Sequence, residues 1–388
     1  MNALHLYVHI PFCAHKCHYC DFNSHARAPI PWRAYADALC RELAHWAGHP
    51  AYRGRTLASI FFGGGTPSLA EPWLIARVLA AIRAAFPCSH DCEITLEANP
   101  DSVSAERLAA WRTAGINRLS IGTQSLNDRE LDWLERIHDR QQALDAFAHA
   151  RAAGFANINL DLMYGLPEQT LDDWLDTLNE AIALEPEHLS CYQLTVEPGT
   201  RLARMHNRQP LPLPNEEASL TFLFATRKRL AEQGYRAYEV SNFARAGRHC
   251  RHNDAYWRYR DYLGIGAGAF GKFDRGDRGA IRYGNLRGPE RYMRQLHETG
   301  HAIAQQEEIP PRLAAAEAVW LGLRRTDGID CRAFAVRFGA TPWRMFAETL
   351  APFAARGLLD HDAERLRLSE TGLALADDIA AAVIQAAR

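Results

Sequence analysis

The chain has 388 residues, 47% of them apolar and 23% charged, so it can bury a large core and lacks the low hydrophobicity of a disordered protein. At roughly 150 residues per domain, this length predicts two or three domains. The 44 Lys and Arg residues nearly balance the 46 Asp and Glu residues, and the net charge of -2 excludes the general basic field on which non-specific nucleic-acid binding depends.

The apolar stretches are too short for a membrane-spanning helix, which needs about 20 residues. The longest of them, residues 313–323, also contains Glu317. The first residues include neither a basic region nor a long apolar region, a pattern that predicts a cytoplasmic protein. The nine cysteines are then expected to be reduced thiols.

Short apolar runs alternate with longer amphipathic stretches from residue 4 to about residue 196, which is typical of βα units around a parallel sheet. The predicted strands cover residues 4–10, 57–62, 92–98, 117–121, 156–163 and 188–195. The predicted helices between them cover residues 32–46, 71–86, 104–114, 140–153 and 171–184. Ser104 is a predicted N-cap, and Gly115 and Gly154 are predicted helix ends. These units are too few for a closed eight-stranded barrel, so the sequence predicts an α/β fold with an incomplete (β/α)6 barrel.

Two proline-containing stretches divide the remainder of the chain. Residues 209–214 read Gln-Pro-Leu-Pro-Leu-Pro, and residues 309–311 read Ile-Pro-Pro. We therefore predict a partial barrel over residues 1–208, an extension over residues 209–308 and a smaller C-terminal domain over residues 309–388. The last is expected to be α+β and winged-helix-like.

Three cysteines follow the first predicted strand. Cys13, Cys17 and Cys20 are spaced four and then three residues apart. Thiolates are soft ligands, and a tight loop with this spacing can bind three corners of an iron-sulfur cube while leaving the fourth iron open to a small bidentate ligand. The spacing alone also allows a structural zinc site completed by His15 or His18.

Two segments are rich in glycine, and the first of them follows the predicted strand at residues 57–62. Residues 63–66, Gly-Gly-Gly-Thr, let a ligand approach the backbone closely. No Lys follows them, as a phosphate-binding loop would require. The alternative to a ligand-binding segment is an ordinary βα turn. Residues 266–271 match the dinucleotide pattern G-x-G-x-x-G. The charged, Gly-rich segment after them does not predict the helix that such a site needs, so we expect a close-packed turn there.

The cysteine triad and the 63–66 motif together resemble the radical S-adenosylmethionine (SAM) superfamily. Within it, the chain resembles the oxygen-independent coproporphyrinogen oxidase group over nearly its whole length. The matching positions include Tyr7 before His-Ile-Pro-Phe-Cys, Glu97 in Leu-Glu-Ala-Asn-Pro, Gln124 in Gly-Thr-Gln-Ser, Arg136 in Glu-Arg-Ile-His and Asp161 in Asp-Leu-Met-Tyr-Gly-Leu-Pro.

This resemblance implies a [4Fe-4S] cluster bound by Cys13, Cys17 and Cys20, with SAM as a second cofactor. The SAM contacts that it implies are Tyr7, Gly64, Gly65, Thr66, Glu97, Gln124, Arg136 and Asp161. Of these, the positions at which the oxidase holds a second SAM molecule are Gly65, Thr66, Gln124, Arg136 and Asp161.

The chain departs from the oxidase pattern in two ways. Phe22 stands where the oxidase has an extra cysteine, and the cluster motif begins by residue 13, without a long preceding extension. Both features resemble the heme-chaperone branch of the group, whose His-Asn-x-x-Tyr-Trp stretch occurs here at residues 252–257. The resemblance implies His252 as a heme ligand, with Cys250 as the alternative, because a neutral imidazole can bind heme iron while aromatic rings contact the porphyrin.

The expected function is therefore that of a heme chaperone which delivers heme to a hemoprotein of the respiratory chain. The alternative is a coproporphyrinogen III oxidase, in which a radical formed from SAM abstracts hydrogen from the propionate chains of the substrate. The implied partners are heme, the acceptor hemoprotein and an electron donor if the cluster is reduced. No nucleic acid is expected, and peripheral contact with a membrane is left open.

Overall fold

The computed structural model describes residues 3–388, so Met1 and Asn2, the first residues of the predicted partial barrel, lie outside the described residues. The strands in chain order are β1 (Ala3–Ile10), β2 (Phe12–Cys13), β3 (His25–Ala26), β4 (Thr56–Gly64), β5 (Cys88–Ala98), β6 (Arg118–Gln124), β7 (Ile158–Tyr164), β8 (His188–Gln193), β9 (Arg236–Ala237), β10 (Asn242–Ala244), β11 (Tyr262–Ile265), β12 (Phe270–Asp274), β13 (Ala280–Asn285), β14 (Ile303–Ile309), β15 (Ile329–Asp330), β16 (Leu359–His361) and β17 (Arg365–Leu368).

Helices cover most of the segments between these strands. They are α1 (Trp32–Gly48), α2 (Pro72–Ala85), α3 (Ala105–Ala114), α4 (Asp128–Trp133), α5 (Arg140–Ala152), α6 (Leu171–Ala183), α7 (Arg201–Arg208), α8 (Glu216–Glu232), α9 (Arg251–Trp257), α10 (Pro289–Thr299), α11 (Pro311–Leu323), α12 (Cys331–Phe338), α13 (Pro342–Ala355) and α14 (Ala376–Ala387).

The predicted strands of the partial barrel are confirmed. They are β1, β4, β5, β6, β7 and β8, which lie parallel and side by side in that order.

The predicted helix cap and helix ends are also confirmed. The Ser104 side chain accepts a hydrogen bond from the Arg107 N–H and so caps α3, which ends at Gly115 in the left-handed conformation (φ 109°). Gly154 is likewise left-handed, with φ 84°, and lies two residues after the end of α5.

The parallel strands belong to a larger open sheet, whose order is β14-β13-β12-β11-β1-β4-β5-β6-β7-β8-β10-β9. Within residues 3–388 the edge strands β14 and β9 do not pair with each other, so the barrel is incomplete, as predicted. Strand β11 pairs in parallel with β1, and β12 to β14 continue the sheet antiparallel beyond it. The sequence did not predict this addition, because pairing between distant segments leaves no local pattern.

The pleat of β1 separates the apolar core from the interior of the barrel. Alternate residues of β1 have no exposed surface and pack in the main apolar core; these are Leu4, Leu6, Val8 and Ile10. Side chains of successive strand residues point to opposite faces, so His5, Tyr7 and His9 lie on the other face of the sheet. Polar side chains are thereby placed inside the barrel.

The last part of the chain surrounds a second apolar core. Helices α11 to α14 pack with a three-stranded sheet, in the order β15-β17-β16, around buried residues such as Val319, Leu350, Leu366 and Ile379. This α+β arrangement agrees with the predicted class of the C-terminal domain. Among the described helices, none combines the length and the apolar character that a membrane span requires.

Candidate functional site

The three cysteines of the predicted cluster motif lie on the loop that joins β1 to α1. Cys13 is buried, whereas Cys17 and Cys20 are half-buried, and all are free thiols. Two backbone hydrogen bonds stabilise the loop, one from Cys20 N–H to the Cys17 carbonyl (3.3 Å) and one from His25 N–H to the Pro11 carbonyl (2.7 Å). The loop begins at the carboxyl end of a parallel strand, which is where ligand sites of such sheets occur.

The glycine motif at the end of β4 lies directly against the cysteine loop. Gly65 N–H donates to the Ile10 carbonyl and Thr66 N–H to the Phe12 carbonyl, both at 2.8 Å. A Cβ atom on Gly65 would lie 2.7 Å from the Phe12 carbonyl oxygen and 2.9 Å from Cys13 Sγ, so only glycine fits there. The Thr66 hydroxyl donates to Cys13 Sγ at 3.5 Å. The motif therefore supports the position of Cys13.

A cavity of about 550 Å³, here called the main cavity, opens between this loop and the ends of the strands. Among its lining residues are most of the predicted cluster and SAM positions, namely Cys13, Cys17, Cys20, Gly64, Gly65, Thr66, Glu97, Gln124, Arg136 and Asp161. Tyr7 instead lines an adjoining cavity of about 360 Å³, here called the side cleft. The two share Phe22, Gly64 and Glu97. Both volumes suit small-molecule sites, which span about 300–1,000 Å³.

Two carboxyl groups face the main cavity from β5 and β7, the strands on either side of β6. Glu97 accepts a hydrogen bond from Gly64 N–H (3.1 Å), and burial, reinforced by the charge of Asp161, raises its pKa to about 8. Asp161 accepts hydrogen bonds from the Ser120 hydroxyl and the Asn159 amide, both at 2.9 Å. Burial raises the pKa of Asp161 as well, against these hydrogen bonds. The pair is suited to a cationic ligand, which would favour both ionised forms.

Arg136 connects the cluster loop to the strand ends. Its guanidinium donates to the Asn99 side-chain oxygen (2.8 Å), to the Gly122 carbonyl (3.1 Å) and to Cys17 Sγ (3.7 Å). The Asn99 amide in turn donates to the Thr66 hydroxyl (3.3 Å). Sequence reasoning missed Asn99 as a residue of the site, although its position two residues after Glu97, just beyond the end of β5, could have indicated it.

Gln124 also occupies the end of a strand. It is the last residue of β6 and adopts the left-handed conformation, with φ 65°, which is uncommon for residues other than glycine. Glu97 near the end of β5, Gln124 at the end of β6 and Asp161 in the middle of β7 place polar groups on three consecutive strands. Contact of these residues with SAM stays a prediction that rests on this placement.

The donor set fits an iron-sulfur cluster. Three free thiols line one cavity, and burial raises the pKa of Cys13 and Cys20, so these thiols are neutral until a metal displaces their protons. A cube distributes its ligands over separate irons, whereas zinc needs donors converging on one ion. Among residues 3–388, no group of three His, Cys, Asp or Glu side chains is arranged to hold a single metal ion, which gives the zinc alternative no support.

The predicted heme ligand His252 lies in the first turn of α9 and is 1% exposed. Its Nδ1 is 2.8 Å from the Ser59 hydroxyl, and its Nε2 is 3.0 Å from the Tyr256 hydroxyl. Burial also keeps the pKa of His252 well below the ordinary value. Heme ligation by His252 stays a prediction, and it requires one of these hydrogen bonds to break. The alternative, Cys250, is fully buried with its Sγ 3.6 Å from Glu93 Oε1.

In the glycine pattern at residues 266–271, residues 266–269 form a turn between β11 and β12 and the last two residues begin β12, so no helix follows the turn. A Cβ atom on Gly266 would lie 2.5 Å from the His9 carbonyl oxygen. The expectation of a close-packed turn is therefore confirmed.

Comparison with known proteins agrees with this arrangement. The family model of the radical SAM superfamily matches residues 7–181, and that of the HemN C-terminal domain matches residues 309–375. The chain is 36% identical to the heme chaperone HemW of Bacillus subtilis, over 96% of this chain and 97% of that protein. It is 42% identical to the heme chaperone HemW of Escherichia coli, over 80% of this chain and 79% of that protein.

A solved structure extends the comparison to the fold. The structure is similar to coproporphyrinogen III oxidase (HemN) from Escherichia coli with a TM-score of 0.83 and 27% identity, covering 99% of this chain and 91% of that chain. The open parallel sheet with the cysteine loop at its carboxyl edge is thus the radical SAM fold. With the identity over nearly its full length, this shows that the chain belongs to the heme chaperone HemW family.

Proposed function

We propose that this protein is a cytoplasmic heme chaperone that binds heme and delivers it to a hemoprotein of the respiratory chain, with a [4Fe-4S] cluster and SAM as cofactors. The observation that carries the proposal is the position of Phe22. Its side chain is 61% exposed and lines both the main cavity and the side cleft. An exposed aromatic ring at this point suits a flat apolar cargo, whereas the oxidase pattern has a thiol there.

The cysteine loop and the strand ends have separate roles in this proposal. Cys13, Cys17 and Cys20 would hold the cluster, which when bound supplies redox-active iron with one open coordination position. Arg136 offers a planar guanidinium suited to the SAM carboxylate. Glu97 and Asp161 accept hydrogen bonds and attract positive charge. The main cavity between these groups would give the cofactors a partly enclosed site.

The affinity for SAM is expected to rise as the pH increases through about 8, the pKa of Glu97. The Glu97 carboxyl group is neutral below this pH and ionised above it, and the ionised form attracts the positive sulfonium of SAM. Calorimetric titration of the reconstituted protein between about pH 6.5 and about pH 9 should show an increase approaching tenfold. The variant Glu97→Gln is the control for titration of SAM itself. An equal pH dependence in that variant would contradict the role given to Glu97.

Heme binding and oxidase activity can be compared in the same samples. The protein is reconstituted anaerobically, titrated with heme, and assayed for conversion of coproporphyrinogen III in the presence of SAM and a reductant. We expect stoichiometric heme binding, no protoporphyrinogen formation, and transfer of the heme to a heme-depleted acceptor hemoprotein. Catalytic conversion with weak heme binding would refute the proposal and make the chain an oxidase.

A further inference from the structure

Two cysteines outside the cluster motif lie at the ends of an irregular segment of β5. From Leu57 to Ser59, β4 advances by two residues, while the paired residues of β5 advance by five, from Cys88 to Glu93. In a regular strand, residues four positions apart are separated by about 13 Å. The extra residues of β5 instead loop out of the ladder, and the Cys92 thiol donates a hydrogen bond to Cys88 Sγ.

We propose that Cys88 and Cys92 form a redox-active dithiol, in which Cys88 attacks a small disulfide of the glutathione type and Cys92 completes an intramolecular disulfide. This site goes beyond the proposed function and does not depend on it, since neither cysteine lines the main cavity or the side cleft. Both are free thiols, Cys88 half-buried and Cys92 buried. Disulfides of cytoplasmic proteins are usually transient or redox-sensing, so the dithiol is the resting form.

The surroundings of Cys88 favour its thiolate, which is the nucleophile in thiol–disulfide exchange. The hydrogen bond from Cys92 lowers the pKa of Cys88 to about 7, opposed by burial and assisted by the charge of Arg83. The Arg83 guanidinium lies in the last turn of α2, where it donates to the Ala114 carbonyl (3.0 Å). Its exposed charge also suits the carboxylates of a glutathione-type molecule.

Cys92 is suited to the second step of the exchange. Its hydrogen bond to Cys88, together with burial, raises the pKa of Cys92, so this thiol stays protonated while Cys88 reacts. Its buried position also keeps a dissolved disulfide from reaching it first. The two cysteines therefore have different roles, Cys88 as the attacking thiol and Cys92 as the resolving thiol.

The exchange has two steps. The Cys88 thiolate attacks one sulfur of the small disulfide, whose S–S bond breaks, and one thiolate leaves. Cys92 then gives its proton to that thiolate, and its sulfur attacks Cys88 Sγ and expels the second thiolate, which takes a proton from water. The cysteine pair loses two electrons, and the small disulfide gains them and becomes two thiols.

Contacts on either side of Cys92 determine which end of the segment moves when the disulfide closes. The Arg251 guanidinium donates to the Asp91 carbonyl (2.8 Å), and the Arg251 backbone N–H donates to the Glu93 carboxylate (3.1 Å). These contacts bind the Cys92 end of the segment to α9. His90 is exposed, so the final approach of the sulfurs comes from the Cys88 end, where the chain borders solvent.

Metal binding is the other chemistry that two neighbouring thiols could serve. A structural zinc site takes four protein ligands. Within the described part of the chain, residues 3–388, no third His, Cys, Asp or Glu joins Cys88 and Cys92 in a group arranged to hold a metal ion. Thiol oxidation, which needs only the pair, is the chemistry that these residues fit.

The test uses the reconstituted full-length protein under anaerobic conditions. Trypsin releases residues 84–107 as one peptide, which contains Cys88 and Cys92 and no other cysteine, so the cluster motif is analysed separately. The protein is incubated with oxidised or reduced glutathione, free thiols are alkylated, and the peptide is measured by mass spectrometry. With oxidised glutathione we expect most of the peptide to have lost two hydrogen atoms and to carry no alkyl group. Dithiothreitol is expected to restore both alkylation sites.

Single variants test the two roles. Cys92→Ser is expected to stop at the mixed disulfide, with one glutathione on Cys88. In Cys88→Ser, glutathione is expected to attach to Cys92 at least about tenfold more slowly than it attaches to Cys88 in Cys92→Ser. The matched control is Cys40→Ser, which removes a half-buried thiol of α1 and is expected to form the disulfide as the unchanged protein does.

Three results would overturn the proposal. The first is an unchanged dithiol peptide after oxidised glutathione, a measurement on the unchanged protein that no folding defect of a variant can affect. The second is equal rates of glutathione attachment in Cys88→Ser and Cys92→Ser. The third is a disulfide that joins either cysteine to a residue outside the peptide. Because the readout is the mass of residues 84–107, it is independent of heme binding and of the proposed function.

Discussion

The variant Cys17→Ser is expected to retain its fold but lose nearly all of its iron and sulfide after anaerobic reconstitution. The contacts of the Cys17 thiol in the folded chain are weak, 3.7 Å to the Arg136 guanidinium and 3.8 Å to the Glu135 carbonyl oxygen, so serine replaces it at little cost in stability. Loss of a cluster ligand removes one of only three thiolates. Even the loss of an outer partner of a metal ligand costs about 10–100-fold in affinity, so we expect a larger effect here.

A matched control for this variant is Cys40→Ser. Cys40 is a half-buried free thiol in α1 and lines neither cavity, so its replacement changes one sulfur without touching the proposed cluster. The measurements are iron and sulfide content and the visible absorbance that bleaches on reduction. Full cluster content in Cys17→Ser, or equal loss in both variants, would contradict the proposed ligand set. Zinc bound in place of iron by the unchanged protein would favour the zinc alternative.

The variant Gly65→Ala is expected to lower both the free energy of unfolding and the cluster content. The added Cβ atom would lie 2.7 Å from the Phe12 carbonyl oxygen, which is backbone and cannot rotate away. The cysteine loop must therefore shift, at a cost of about 1–3 kcal/mol, as is typical of overpacking. Because the same Cβ atom would lie 2.9 Å from Cys13 Sγ, the shift displaces a proposed cluster ligand.

The control for Gly65→Ala is the same substitution at an uncrowded glycine. Gly48 is the exposed last residue of α1, and a Cβ atom there would have no neighbour within 4 Å. Gly48→Ala is expected to leave stability and cluster content unchanged or slightly improved, because alanine favours helix. Chemical denaturation of the cluster-free protein and iron analysis of the reconstituted protein measure the two effects separately. Normal cluster content in Gly65→Ala would show that the glycine motif does not support the cysteine loop.

Much of the parallel part of the fold could be predicted from the sequence, because each βα unit has a local pattern. Apolar runs mark buried strands, and local signals mark helix ends, such as the Ser104 N-cap and Gly115. The spacing of Cys13, Cys17 and Cys20 likewise indicates a metal site without reference to tertiary structure. Such features depend on interactions between residues that are close in sequence, so they leave recognisable patterns in the sequence itself.

The remaining parts of the fold and the site depend on contacts between distant segments. Nothing in residues 262–265 indicates that they pair in parallel with β1, more than 250 residues earlier in the chain. Asn99 belongs to the site because its side-chain oxygen accepts a hydrogen bond from the Arg136 guanidinium at 2.8 Å. These contacts join residues that are distant in sequence, so they leave no local periodicity.

Residues 252–257 show the difference most clearly. The sequence by itself determined that a histidine and a tyrosine occur four residues apart beside other aromatic residues, and in that pattern the imidazole is the more familiar iron ligand. Only the tertiary structure decided which of the two faces a cavity. Helix α9 packs with His252 against Ser59 of β4, and this burial leaves Tyr256 at the side cleft. Residue type determines which chemistry a side chain can perform, whereas packing determines which side chain a ligand can reach.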